Sequence, residues 1–289
     1  MKDSLGGRVT KPLEGRTLVV AFEGWSDARD AATLAVRYLS ETFDAEQVIS
    51  IESEDYFDFQ FNRPIVMLDE DGDRNLSWPT VELWAPSGDS VLPGADRFYF
   101  LVGAEPSRRW KSFVAEIADL VVDYEIDAVV FLGAFVADAP HTRPIQVSAT
   151  SPNELLQNEF TLEASTYQGP VGIISVLGVE LERIGIPTMA IWAAVPAYVH
   201  VGPSPKATLS LVAEVERFTG ISVDHGELPD EAFKWERSID EMVEGDEELL
   251  GYIEQLEEAR DSEGLENTSG DALALEFERY LRQKDDGAQ

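Results

Sequence analysis

VVFLGAFVADAPHTRPIQVSATS, residues Val129–Ser151, opens on four consecutive apolar side chains, Val129-Val130-Phe131-Leu132, with no polar alternation. A run of this kind, ended by Gly133, fits a strand buried on both faces of a sheet. A loop carrying Asp138, His141, Thr142 and Arg143 follows, and Pro140 and Pro144 fix its backbone near the ring-locked φ. Ile145 to Val147 resumes a short apolar strand. Ser151-Pro152-Asn153-Glu154 then has the pattern of a helix start, with Ser as cap, Pro at the first helical position and Glu three residues after the cap.

Working outward from this stretch, strand and helix patterns alternate. Thr17 to Phe22 reads as a buried strand. Glu23-Gly24-Trp25-Ser26-Asp27 reads as a strand-to-helix turn, and Ala28 to Ser40 as a helix with Ala31, Leu34, Ala35 and Tyr38 at helical spacing. Gln47 to Ile51 is a second strand, giving a βαβ unit whose crossover is expected to be right-handed. Residues 53–97 break the pattern. They are rich in aromatics (Tyr56, Phe57, Phe59, Phe61, Trp78, Trp84) and in Pro and Gly, and Ile65 to Leu68 and Val81 to Trp84 read as strands of an antiparallel excursion on the sheet edge. Arg97 to Val102 is a third core strand. Ser107 is placed to cap a helix running to about Tyr124, with Trp110, Phe113, Val114, Ile117, Leu120 and Val121 on its apolar face. Downstream, Val171 to Ile184 is helical, Thr188 to Val195 is a strand, and Ser204-Pro205 starts a helix to about Thr219. This alternation predicts an α/β fold, a mainly parallel sheet flanked by helices.

The pattern changes after about Leu228. We expect residues 1–225 to form the α/β domain and residues 226–289 an acidic helical appendage of two amphipathic helices. The first carries Ile239, Met242, Leu249, Ile253 and Leu256 as a narrow apolar stripe. The second spans Asp271 to Leu281, with Leu273, Phe277, Tyr280 and Leu281 on its apolar side. Such helices are not stable alone in water and must pack on the body or on another subunit.

The formal net charge is −33, from 55 acidic and 22 basic residues among 289. Nucleic-acid phosphate and anionic membrane surfaces would be repelled, so neither is expected as a partner. About half the charge lies from Asp224 onward, with 22 acidic against six basic residues. This fits a solvated helical tail or an acidic interaction arm. With no cysteine there is no disulfide framework and no thiol chemistry. The first residues hold no apolar signal segment and no run is long enough to span a bilayer, which predicts a soluble cytoplasmic protein.

The block LGAFVADAPHTRPIQV, Leu132 to Val147, resembles the central motif of the PAC2 family, the proteasome-assembly-chaperone-like proteins, in its actinobacterial branch. Three further blocks agree: FEGWSDARDAA from Phe22, LVGAEPSRRW from Leu101 and GIPTMAIWAAVPAYV from Gly185. The resemblance covers roughly residues 17–220. It implies a phosphorylase/hydrolase-like α/β fold, a non-enzymatic assembly or interaction role, proteasome subunits as partners and a homo-oligomer, with a trimer the first expectation. The family supplies no agreed catalytic residues. Some proteasome partners dock by a hydrophobic-Tyr-any residue ending. This chain ends Asp285-Asp286-Gly287-Ala288-Gln289 and lacks that ending, which argues against tail insertion and leaves side-face contact open. An oligomer also has an independent warrant in the apolar stripe of the tail and in Phe57, Phe59, Phe61, Trp78 and Trp84 on the expected edge, which a ring or dimer would cover. A tail folded back over the aromatics in cis is the alternative.

Two readings fit His141, Asp138 and Arg143. His141 follows a strand end, where open α/β sheets place ligands. In an enzyme acting on a small anionic metabolite it would be the acid/base, Asp138 its orienting carboxylate and Arg143 the anion clamp. In the favoured alternative His141 and Arg143 bond backbone carbonyls, or Arg143 pairs with a carboxylate, to hold a Pro-rich turn. Trp25, Asp27, Glu105 and His200 also lie on turns after strands and are the candidates for ligand contact. A helix N-terminus after Trp25 could take an anion, although Asp27 sets a like charge beside it. No metal site is expected, since neither a His-Glu-x-x-His pattern nor Cys ligands are present. No cofactor is expected either. There is no Gly-rich phosphate loop or Lys-bearing pattern to support the ATP-grasp ligase chemistry with which some relatives have been grouped, and no nucleophile elbow.

Overall fold

A computed structural model describes residues 12–263 except 53, 70, 89 and 91. Nine strands and seven α-helices are found among them. The strands are β1 (Thr17–Phe22), β2 (Ala45–Ile51), β3 (Ile65–Leu68), β4 (Arg74–Ser77), β5 (Val81–Pro86), β6 (Phe98–Gly103), β7 (Ala128–Ala137), β8 (Val147–Thr150) and β9 (Thr188–Pro196). The helices are α1 (Ala31–Thr42), α2 (Trp110–Asp123), α3 (Glu154–Phe160), α4 (Ile173–Arg183), α5 (Pro205–Thr219), α6 (Leu228–Val243) and α7 (Glu247–Glu263).

One seven-stranded sheet runs in the order β2-β5-β6-β1-β7-β9-β8. Its centre, β6-β1-β7-β9, is parallel, while β5 and β8 are antiparallel to their inner neighbours. Successive strand residues point to opposite faces, so continuous apolar runs fill two cores. Val19, Ala21, Val130 and Leu132 pack with α1 and α5 on one face. Leu18, Val20, Val129 and Phe131 pack with α2 and α4 on the other. The α/β class and the mainly parallel sheet flanked by helices are as the sequence predicts. Among the described residues no helix is long and apolar enough to cross a membrane.

Several local expectations are corrected. β1 and β2 are not neighbours: β6 and β5 lie between them, and β2 sits on the edge against β5. Ile65–Leu68 pairs with Arg74–Ser77 in a separate hairpin, while Val81–Pro86 joins the main sheet. The short strand after the central loop is Val147–Thr150 and not Ile145 to Val147. Asn153 caps α3, its side chain accepting from the Leu155 N–H at 3.1 Å, while Ser151 Oγ accepts from the Asn153 N–H and donates to the Thr188 carbonyl. Ser107 does not cap α2, which starts at Trp110; its hydroxyl donates to Asn62. The apolar positions expected on one tail helix are divided between α6 and α7 by a turn at Gly245, whose φ of +89° is reached without cost only by glycine. The helix expected over 271–281 lies outside the described residues. Of the aromatics expected on an open edge, Phe57 is buried and Trp84 is half-buried against the core, whereas Phe61 is 82% exposed.

Candidate functional site

The loop after β7 meets the loop after β9 at one end of the sheet, and α6 and α7 close over both. His141 is 1% exposed. Its backbone N–H donates to Tyr198 Oη at 2.7 Å, and its ring Nδ1 lies 2.7 Å from the same oxygen. Nε2 lies 3.1 Å from Asp240 Oδ1. The network assigns the proton. The Asp240 carboxylate can only accept, so Nε2–H donates to it, and in the neutral ring Nδ1 is then the acceptor for the Tyr198 hydroxyl hydrogen. Burial raises the Tyr198 hydroxyl pKa, keeping that hydrogen in place. Lys206 Nζ donates to the His141 carbonyl at 2.5 Å and pairs with Glu236 of α6.

The rest of the loop is engaged in the same way. Thr142 Oγ1 donates to Glu257 of α7. Arg143 makes a bidentate pair with Asp261, at 2.9 and 2.8 Å, with Glu257 at 3.4 Å from its third nitrogen. These bonds raise the Arg143 pKa and lower that of Asp261. Asp138 Oδ1 accepts from Tyr252 Oη at 2.9 Å. Burial, then that bond, pushes the Tyr252 hydroxyl up to about 12. Beneath these polar contacts Val199, Ile239, Val243 and Ile253 form an apolar seam joining α6 and α7 to the β9 loop. The carboxylate at the His141 ring is therefore Asp240 and not Asp138, and the anion held by Arg143 is the chain's own Asp261.

A second cluster gathers the turns after β1 and β6. Asp27 is 5% exposed. Its Oδ1 accepts the N–H groups of Ala32 and Thr33 at 2.7 and 3.2 Å, and Oδ2 accepts from the Thr33 hydroxyl. Glu105 Oε1 accepts the first N–H of α4, at Ile173, at 2.9 Å, and its carboxylate also accepts the Trp25 N–H. The exposed N–H groups at a helix start invite an anion. Here the starts of α1 and α4 are filled by the chain's own carboxylates. Trp25 is 43% exposed beside them. His200 is exposed, and the residue of its loop that meets His141 is Tyr198.

Burial pushes the Asp27 carboxyl up to about 6, against the three hydrogen bonds that lower it. The folded chain thus binds this proton more tightly than the unfolded one, whose carboxyl has the ordinary value of 3.8. The stability tied to this group is complete below the unfolded value and is lost as pH rises through about 6. Urea titrations of the wild type and Asp27→Asn should show the difference between them shifting in favour of the wild type from about pH 7 to about pH 4.5. A difference independent of pH would contradict the raised carboxyl.

A groove of about 730 Å³ opens between α1, α5, α6 and the β9 loop, lined by Leu34, Val201, Trp235, Ile239 and Met242 together with Arg37 and Glu41. None of the seven candidate side chains lines it.

Sequence reasoning missed Tyr198, Lys206, Asp240, Tyr252, Glu257 and Asp261. One signal was available: Glu236 and Asp240, and again Glu257 and Asp261, are spaced by four residues and so share a helix face. Among the many acids of the tail that spacing does not stand out.

The fold and site define an α/β protein built on a seven-stranded mixed sheet whose strand-end loop is clamped by two acidic helices. The chain belongs to the PAC2 family, whose profile matches residues 21–243. It is similar to a PAC2 family protein of Streptomyces avermitilis, with 38% identity, a TM-score of 0.73, and coverage of 82% of this chain and 99% of that one. It is also similar to a proteasome-assembly chaperone homologue of Mycobacterium tuberculosis, with 39% identity, a TM-score of 0.72, and coverage of 82% and 99%. A second M. tuberculosis protein, of unknown function, is 26% identical with a TM-score of 0.75 over 86% of this chain and 83% of that one. No curated protein sequence matches the chain.

Proposed function

We propose that this chain is a non-enzymatic interaction factor of the proteasome-assembly kind, acting in the cytoplasm on proteasome subunits through its folded surface. The observation that supports it most is the state of the central loop. His141 is buried and bonded at both ring nitrogens, Arg143 holds Asp261, and Asp138 holds the Tyr252 hydroxyl. A reaction on a small anionic metabolite would need His141 and Arg143 to leave these partners, and a substrate would have to displace α6 and α7. The 39% identity to the M. tuberculosis chaperone homologue supports the choice of partner. In this reading the body to about residue 225 carries the sheet, and the residues beyond it form an appendage clamped onto the loop.

Affinity capture of the tagged chain from its native cytoplasm, read by mass spectrometry, tests the proposal. Enrichment of proteasome subunits over an untagged control is expected, and their absence from a host that expresses them would overturn it. The same reading takes the chain to be a homo-oligomer, with a trimer first. Light scattering should give a multi-chain mass, and a single-chain mass across micromolar concentrations would refute it.

A further inference from the structure

We propose that the stretch Asp271 to Leu281 docks as a helix into the groove between α1, α5 and α6 of its own chain. Docking within one chain depends on neither the oligomeric state nor the proteasome reading.

The groove is open and largely apolar. Its volume of about 730 Å³ lies in the range of about 300–1,000 Å³ typical of sites that bury an occupant. Among its lining residues Val201 is 70% and Met242 50% exposed, and Leu34, Tyr38 and Trp235 are half-buried. Covering these side chains removes apolar surface from water, which is favourable. The segment supplies a matching face. Leu273, Phe277, Tyr280 and Leu281 recur at i, i+4, i+7 and i+8, one stripe of a helix. Asp271 ahead of them is a good N-cap residue. A helix this short is marginal in water by itself and needs a surface for its stripe.

The chain passes beside the groove before it reaches this segment. Ile253 of α7 packs in the seam with Val199 and Ile239, and both of these also line the groove. From Ile253 to Glu263, the last residue of α7, the helix carries the chain about 15 Å beyond that contact. The link 264–270 can span about 24 Å, enough to turn back alongside α7 and set Leu273 at the groove. Gly264 and Gly270 bracket Asn267-Thr268-Ser269 in this link, a composition suited to a turn. Tethering presents the segment to the groove at an effective concentration on the order of millimolar, so a contact too weak to hold a separate molecule suffices. A second copy would bring a further charge of −33 against this one, whereas the tethered segment brings none.

The sequence has no cysteine, so two thiols can be placed at will. Met242→Cys at the groove and Ala274→Cys beside the stripe are combined in one full-length chain and treated with a short bifunctional thiol cross-linker. The expected product is a single chain whose two cysteine peptides are joined. Phe277→Asp in this background sets a charge on the stripe and is expected to slow the linking about tenfold or more. Leu275→Asp, on the opposite side of the same helix, is expected to leave the rate unchanged. Equal rates in the Phe277→Asp and Leu275→Asp chains would mean that tethering alone brings the thiols together, and would overturn the docking. So would the absence of any joined product. Linking that yields only two-chain products would place the segment in a second copy and overturn docking within one chain.

Discussion

His141→Ala is expected to lower the free energy of unfolding by about 3 kcal/mol. The substitution removes the bonds to Tyr198 and Asp240 and leaves a space where a fully enclosed ring stood. A net bond is worth about 1 kcal/mol, and the larger penalty comes from the partner left behind. Tyr198 is half-buried against the seam and loses the acceptor for its hydroxyl hydrogen. Asp240 is 57% exposed and regains water, so it adds little. Arg143→Ala should cost much less, because its pair with Asp261 is open to solvent and screened. Urea unfolding of the two variants checks the ordering. Equal effects, or a larger loss from Arg143→Ala, would contradict a loop held through His141.

Gly103→Ala is expected to cost a further large amount, about 3 kcal/mol, at the upper end for overpacking. Gly103 ends β6, where its carbonyl accepts the Glu23 N–H at 2.9 Å and the Ala104 N–H reaches the Thr80 carbonyl at 3.0 Å. A Cβ at this position would stand 2.1 Å from the Thr80 carbonyl oxygen and 2.7 Å from Val81 Cα. Both are backbone atoms, so no side-chain rotation relieves the clash. Strand β5 must move away from β6, or the chain must part between β1 and the Glu105 turn. Thermal unfolding reads the loss directly. A melting temperature equal to that of the wild type would contradict the β5–β6 spacing.

The sequence makes the centre of the sheet legible because burial on both faces leaves β7 and β1 as unbroken apolar runs. It does not make strand order legible. β2 carries Glu46, Gln47 and Ser50, and nothing local says that it pairs antiparallel with β5 in place of lying beside β1. β4 was hidden because Arg74-Asn75-Leu76-Ser77 has loop composition, and only its pairing with β3 makes it a strand. The candidate site divides in the same way. That Asp138, His141 and Arg143 share a loop could be read from the chain. Their partners could not, since Asp240 lies 99 residues beyond His141 and Asp261 lies 118 beyond Arg143. The apolar stripe through Ile239, Ile253 and their neighbours implied that the tail must pack on something. That it packs on this loop follows from tertiary structure alone. Asp27 was legible in part: a carboxylate at a helix start argues against a bound phosphate, and here it occupies the place the anion would take.

If the chain binds proteasome subunits as proposed, the His141 loop is a fixed structural joint and not a reaction centre. Sedimentation velocity of the purified chain mixed with purified, unassembled proteasome subunits from the same organism tests it most directly. A co-sedimenting complex is expected at micromolar concentration, and it persists in Arg143→Ala, which is expected to fold. Separate sedimentation of chain and subunits at all ratios would contradict it, as would a complex that forms with the wild type and is lost in Arg143→Ala.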